Sequence, residues 1–240
     1  MTESIRLAKR LASQISCSRS EAEKYIEGGY VQVDGATVEE PGFRVQAEQK
    51  IELLPGATLD AVEAVTILLH KPAGFDIDNS DDAVYQLITP ENQFPEDRSG
   101  LRLIKHHFKE LILTDTLGKQ SSGLIVLTQD WRIARKLKTD AEKTEQEFVV
   151  EVEGEILQEA LDQLNQGMLL DGKITPVKVS RQSESRLRFA VKGNRRKQIA
   201  DLCEKAGLIV KAIKRIRIGR VPMSSLPAGQ WRYLMAYEKF

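Results

Sequence analysis

Only two cysteines occur in 240 residues, Cys17 and Cys203, and neither belongs to a CxxC or His/Cys spacing. A structural disulfide or a zinc site is therefore not expected, nor is any other metal. Long hydrophobic runs are missing as well. VTILL and GLIVLT extend for a few residues each, far below the roughly 18 to 20 that a membrane span requires. The opening residues MTESIRLAKR lack the apolar stretch of a secretory signal, so a cytoplasmic location and no membrane association are expected. Net charge is absent too, with 35 Lys and Arg against 35 Asp and Glu. The length suffices for one large domain, or for an ordinary domain with a small appendage, and for a sizeable core.

The charge that is present is segregated. Between Phe75 and Asp97 stand Asp76, Asp78, Asp81, Asp82, Glu91, Glu96 and Asp97 with no Lys or Arg, a composition that predicts an exposed loop or a weakly ordered excursion. Between Arg186 and Arg220 stand twelve basic residues against Asp201 and Glu204. A formally neutral chain can in this way present one positive face, which points to a polyanion partner.

In the first 54 residues Ile5, Leu7, Leu11 and Ile15 recur at roughly helical spacing. Ser18 is placed to cap a second helix whose apolar positions are Ala22, Tyr25 and Ile26 and which Gly28 and Gly29 end. YVQVDGATV then alternates around Asp34-Gly35, the pattern of a tight hairpin, and KIELL adds a strand. After a linker rich in turn residues, VTILLHK, GLIVLT, EQEFVVEVEG, RLRFAVKG and LIVKAIKRIRIGRV predict strands; WRIARKLK, ILQEALDQLNQGM and RRKQIADLCEKAG predict helices. Asp130 is expected to cap WRIARKLK. Strands and helices do not alternate as βαβ units, so the fold class is α+β.

IRLAKRLASQISCSRSEAEKYIEGGYVQVDG resembles the small RNA-binding domain named after ribosomal protein S4. The likeness rests on Ser18-Arg19-Ser20-Glu21-Ala22, Ile26-Glu27-Gly28-Gly29 and Val31-Gln32-Val33-Asp34-Gly35. It implies that Arg6, Lys9, Arg10 and Arg19 meet RNA phosphates, since a helical face carrying Lys and Arg attracts anions in a salt-dependent way.

From Val65 onward the chain resembles the RsuA/RluF branch of the pseudouridine synthases. HKPAG at His70 to Gly74, SSGLIVLTQD at Ser121 to Asp130 and VKAIKRIRIGRVPMSSLPAGQWRYL carry the likeness, the last with Arg215, Arg217, Ile218, Val221, Leu226, Gly229, Trp231, Arg232 and Leu234 in the family's register. The implied organisation is an S4-like domain over 1–59, a linker over 60–64 and a pseudouridine-synthase-like domain over 65–240 with a central mixed, mostly antiparallel sheet.

The resemblance further implies cofactor-free isomerisation of a uridine flipped out of RNA, through an Asp nucleophile in a GRLDxxSxGLL loop. A basic residue pairs with that Asp, and a Tyr stacks on the base. Counting back from Ser121 and Gly123, the nucleophile position is Gly118 and the preceding Arg is Thr116. The Tyr becomes Phe148, and in the family's basic helix NRRKQIADL keeps Arg195 and Gln198 but replaces the paired basic residues with Ala200 and Asp201. Asp115 is the one substitute carboxylate on the loop. His106 and His107 are adjacent, a poor geometry for one metal ion, and a solvated or RNA-facing loop is expected there.

Carried over residue by residue, the base-binding cleft comprises Leu117, Gly118, Phe148, Arg195, Lys197 and Gln198. The RNA-binding set comprises Arg6, Lys9, Arg10, Arg19, Lys71, Arg195, Arg196, Arg215 and Arg217. The expected protein is a monomeric, cytoplasmic, isomerase-like pseudoenzyme without cofactor, binding structured RNA, ribosomal RNA first, in ribosomal RNA processing. The alternatives are an active synthase acting on ribosomal or transfer RNA, and a protein-interaction module built on the acidic segment.

Overall fold

The structure is a computed structural model that describes residues 4–77, 81–170, 173–175, 177–193 and 196–240. It divides into two compact units, Met1–Ala64 with Leu101–Leu111, and Val65–Gly100 with Ile112–Phe240.

In the first unit β1 (Ile5–Arg6) leads into α1 (Leu7–Ile15) and α2 (Arg19–Glu27). Ile5 thus belongs to a strand ahead of the helix whose face it was expected to share. Ser18 accepts a hydrogen bond from Glu21 N (3.2 Å) and donates its own backbone N–H to the Glu21 carboxylate (2.7 Å). This reciprocal cap satisfies two helix-end donors and fixes the start of α2. β2 (Val31–Val33) and β3 (Ala36–Thr37) form the expected hairpin, with φ +51° at Asp34 and +83° at Gly35. Both left-handed conformations match a type I′ turn. Asp34 also accepts from Lys50 N and Gln49 Nε2, each at 2.8 Å, which ties the turn to the strand that follows. β4 (Arg44–Val45) pairs with β1, and β5 (Ile51–Leu53) pairs with β2. Leu7, Ala8, Leu11, Ala22, Ile26, Val31, Val33, Val45 and Ile51 close one core.

Leu101–Leu111 completes this unit. Arg102 donates to Gly29 O at 2.9 Å and stacks its guanidinium 4.8 Å from the Tyr30 ring centroid, and Lys105 N donates to the Glu39 carboxylate. His107 is buried in the same segment. Of the two histidines expected on a solvated or RNA-facing loop, His107 is packed and His106 is exposed.

The second unit is built on one sheet. Its strands are β6 (Thr66–Lys71), β7 (Ile112–Leu113), β8 (Ser122–Thr128), β9 (Glu145–Glu153), β12 (Lys178–Arg181), β13 (Arg186–Lys192), β14 (Ile209–Ile218), β15 (Val221–Pro222) and β16 (Trp231–Tyr233). A separate ribbon pairs β10 (Met168–Leu170) with β11 (Lys173–Thr175). The order β12-β13-β9-β14-β8-β6-β16 is antiparallel except between β14 and β8, so the sheet is mixed and mostly antiparallel. With α3 (Asp81–Tyr85), α4 (Trp131–Lys138), α5 (Gln158–Asn165) and α6 (Arg196–Lys205) the architecture is α+β. α4 is capped by Asp130, which accepts from Arg132 N at 2.7 Å, and it docks Leu137 on a core of Leu68, Leu124, Val126, Ile218 and Val221.

The parallel junction of β8 and β14 depends on one glycine. A Cβ on Gly123 would lie 2.2 Å from Arg215 O and 2.5 Å from Arg215 N, and the residue has φ +116°. Any side chain there would force two strands apart.

The acidic segment differs from its expectation. Asp78 lies outside the described residues, but Ile77, Val84 and Ile88 are buried and Asp97 accepts from Ser99 N (2.8 Å) and Tyr233 N (2.9 Å). Apolar residues interleaved with the acids anchor it to the unit, so charge density alone was a poor guide to an exposed loop.

Candidate functional site

The loop from Thr114 to Ser121 crosses the β8–β14 junction. Thr114 fixes its start, giving both N and Oγ1 to Val126 O at 3.0 Å. Ser121 N donates to Gly118 O at 2.9 Å, closing a turn around the candidate nucleophile position. Lys71 fixes the far side: its ammonium donates to Ser121 O (2.8 Å), Pro72 O (2.9 Å) and Lys119 O (3.3 Å). Lys71 is fully buried. It holds the loop and is not a surface cation, which corrects its place in the RNA-binding set.

Beneath this loop lies Arg215, only 1% exposed. Its Nε donates to Leu124 O at 2.7 Å and its Nη1 to Gln146 Oε1 at 3.0 Å; Nη1 also forms an ion pair with the Asp115 carboxylate. An isolated buried guanidinium is costly, and a hydrogen-bonded carboxylate offsets that cost. Nη2 has no hydrogen-bond partner among the described residues, and neither has Gln198 Oε1 on α6. Arg215 is thus no phosphate contact on an open surface, and its remaining nitrogen is an unmet donor in the interior.

Phe148 faces Arg215 across the β9–β14 register and is fully buried, as is Leu117. Gln146, two residues before Phe148 on the same inward face of β9, was missed by sequence reasoning. Its signal was a polar residue at an inward position of an alternating strand. Of the remaining cleft candidates, Arg195 lies outside the described residues and Lys197 stands in the first turn of α6, next to Arg196 of the RNA-binding set.

Part of the predicted positive face is neutralised. β9 runs between β13 and β14 and supplies four carboxylates to them. Glu151 pairs with Arg186 (3.3 Å), Glu147 with Arg188, Glu153 with Lys211 (2.7 Å), and Glu145 and Glu147 with Arg217 (2.5 and 2.8 Å). Hydrogen bonding from Arg217, then from Arg188, holds the Glu147 carboxyl below its ordinary range against the opposing effect of burial. Arg217 therefore belongs to a sheet-surface ion network rather than to a free cationic face. In the first unit Arg6, Lys9 and Arg19 are exposed; Arg19 pairs with Glu23 (3.0 Å), and Arg10 donates to Ala47 O at 3.3 Å.

His70 sits at the β6 end of the site, 5% exposed, with Nδ1 2.7 Å from Leu226 O. Burial lowers its pKa, and Lys214 adds to the effect against the Leu226 hydrogen bond. Trp231 Nε1 donates to Thr89 O at 2.7 Å, and Arg232 forms two 2.7 Å bonds with Glu238, so the C-terminal block serves to close the unit. Among the described residues no helix is long and apolar enough to cross a membrane.

Residues 5–51 match the S4 domain. The chain is 30% identical over 238 residues to the dual-specificity RNA pseudouridine synthase RluF of Escherichia coli (strain K12), covering 96% of this chain and 76% of that protein. It is 28% identical over 246 residues to the ribosomal large subunit pseudouridine synthase B of Bacillus subtilis (strain 168), covering 97% and 93%. A solved pseudouridylate synthase superposes with a TM-score of 0.58 over 96% of both chains at 22% identity, a likeness of fold. The architecture is an S4 domain ahead of a pseudouridine synthase fold. The chain belongs to the RsuA/RluF-type family of RNA pseudouridine synthases.

Proposed function

We propose that this protein binds structured RNA, ribosomal RNA foremost, and that it receives a base in its family's cleft without isomerising it. The observation that carries this reading is the identity of the loop residues. Position 118, where the family resemblance puts the nucleophile, is a glycine, and the neighbouring carboxylate, Asp115, is engaged by buried Arg215. Attack on a uridine needs a free nucleophile aligned to within about 1 Å, and a hydrogen atom at position 118 supplies none. Phe148 offers a stacking face but no hydroxyl for proton transfer. What supports retained base binding is unmet hydrogen-bonding capacity: Arg215 Nη2 can donate and Gln198 Oε1 can accept. Exposed Arg6, Lys9 and Arg19 in the S4 domain give the electrostatic component.

One observation favours a second reading, an active synthase with Asp115 as nucleophile. Its pairing with Arg215 is the relationship the family resemblance assigns to the catalytic Asp and its basic partner. The test is affinity for ribosomal RNA fragments across a salt series, together with pseudouridine analysis of the same RNA. The first reading expects salt-dependent binding without product. Product that is lost in Asp115→Asn would establish the second, and absence of salt-dependent binding would remove both.

A further inference from the structure

A cationic surface that carries an exposed aromatic ring lies on α4. Trp131, at its first position, is 62% exposed, whereas Trp231, the other tryptophan of the chain, is fully buried. Arg132 stacks its guanidinium 5.8 Å from the indole centroid. Arg135 follows Trp131 by one helical turn, and the same face continues to Lys136. Lys143, on the turn after the helix, completes a pocket of about 440 Å³ with Asp140 and Thr144.

The charges of this pocket differ from those of the sheet surface. There Arg186, Arg188, Lys211 and Arg217 are paired with β9 carboxylates. Here Arg132 and Arg135 enter no ion pair among the described residues; Asp130 caps α4, and Asp140 lies 3.4 Å from Lys143. Lys136 donates to Phe240 O and remains exposed. The buried face of α4, with Ala134 and Leu137, is used by the core, so Trp131 is not needed for packing.

We infer that the α4 surface is a second RNA-contact site, where an unpaired nucleobase stacks on Trp131 while adjacent phosphates meet Arg132 and Arg135. Every nucleobase has a π-face, and an aromatic ring flanked by unpaired cations is the arrangement that holds single-stranded nucleic acid. Arg132 has a double role, since a guanidinium on the indole edge orients the ring and contacts phosphate. A protein ligand would need a larger apolar area than one ring provides. The inference rests on the RNA-binding reading above but concerns the face of α4, which strand β8 separates from the loop around Gly118.

The test uses the full chain and a single-stranded oligouridylate. Because Trp231 is buried, a change of tryptophan emission on RNA addition reports on Trp131. The expected results are quenching of that emission, a loss of affinity of about fivefold or more in Trp131→Ala, and recovery of most of it in Trp131→Phe. Arg132→Ala with Arg135→Ala should make the log-log salt dependence shallower by about 0.7 per lost contact. Unchanged affinity in Trp131→Ala, with emission insensitive to RNA, would overturn the inference while leaving RNA binding by the protein intact. Equal quenching by inorganic polyphosphate would overturn the stacking claim. Failure of the wild-type chain to bind any RNA would overturn the underlying reading as well.

Discussion

Asp115 and Arg215, one hundred residues apart in sequence, form an ion pair inside the second unit, with Asp115 on the loop before β8 and Arg215 in the middle of β14. Their side chains are 13% and 1% exposed. Removing one member of such a pair leaves a charge with no counter-ion. Asp115→Ala is therefore expected to destabilise the protein by about 3 to 5 kcal/mol. Replacing both partners with apolar residues should recover much of that loss. Urea unfolding of the single and double variants measures it; a single variant within about 0.5 kcal/mol of wild type would show that Arg215 has another counter-charge.

Gly123 permits the approach of β8 to β14. Gly123→Ala combines a positive φ with a backbone overlap at 2.2 Å, and neither can be relieved by rotating a side chain. The expected outcome is a fall in stability of more than about 3 kcal/mol or failure to fold, read by thermal unfolding. A wild-type melting temperature would mean that the strands separate easily here.

Burial first, and then the neighbouring His106, pushes the His107 pKa down to about 4. The unfolded chain takes up that proton more readily than the folded one, so stability is complete above the unfolded pKa and falls as pH drops from about 6.5 toward 4. The loss attributable to this ring is roughly 2 to 4 kcal/mol. His107→Leu should flatten the acid limb of a stability-versus-pH curve, leaving the contribution of His70, whose pKa is also lowered. An unchanged acid limb would place the titration elsewhere.

Restoring a carboxylate should not by itself restore chemistry. Gly118→Asp alone would lack the Arg at position 116 and the hydroxyl at position 148, so little pseudouridine is expected from it. Thr116→Arg, Gly118→Asp and Phe148→Tyr together should give more product than the single change. Full activity from Gly118→Asp alone would show that the other two positions are dispensable.

Local features were legible in the sequence. Ser18 and Glu21 fit a capping box and form one; Asp34-Gly35 fits a tight hairpin and makes one; Asp130 caps the helix it precedes. Each is decided by residues a few positions apart. What escaped depends on sheet order. The basic window from Arg186 to Arg220 counted β13 and β14 but not the acids of β9, which the fold inserts between them. Lys71 and Arg215 read as RNA contacts because their partners are backbone carbonyls and an acid that fold back from distant positions. Leu101–Leu111 joins the first unit despite its place in the chain, a relationship that no local pattern encodes.

The central claim is binding without isomerisation. The most direct measurement is the pseudouridine content of total RNA after incubation with the unmodified, purified protein, under conditions where binding is saturated. The account predicts no increase over RNA incubated without protein. A stoichiometric or catalytic increase at a defined uridine, abolished by Asp115→Asn in a protein that still folds and binds, would contradict it and assign the nucleophile to Asp115.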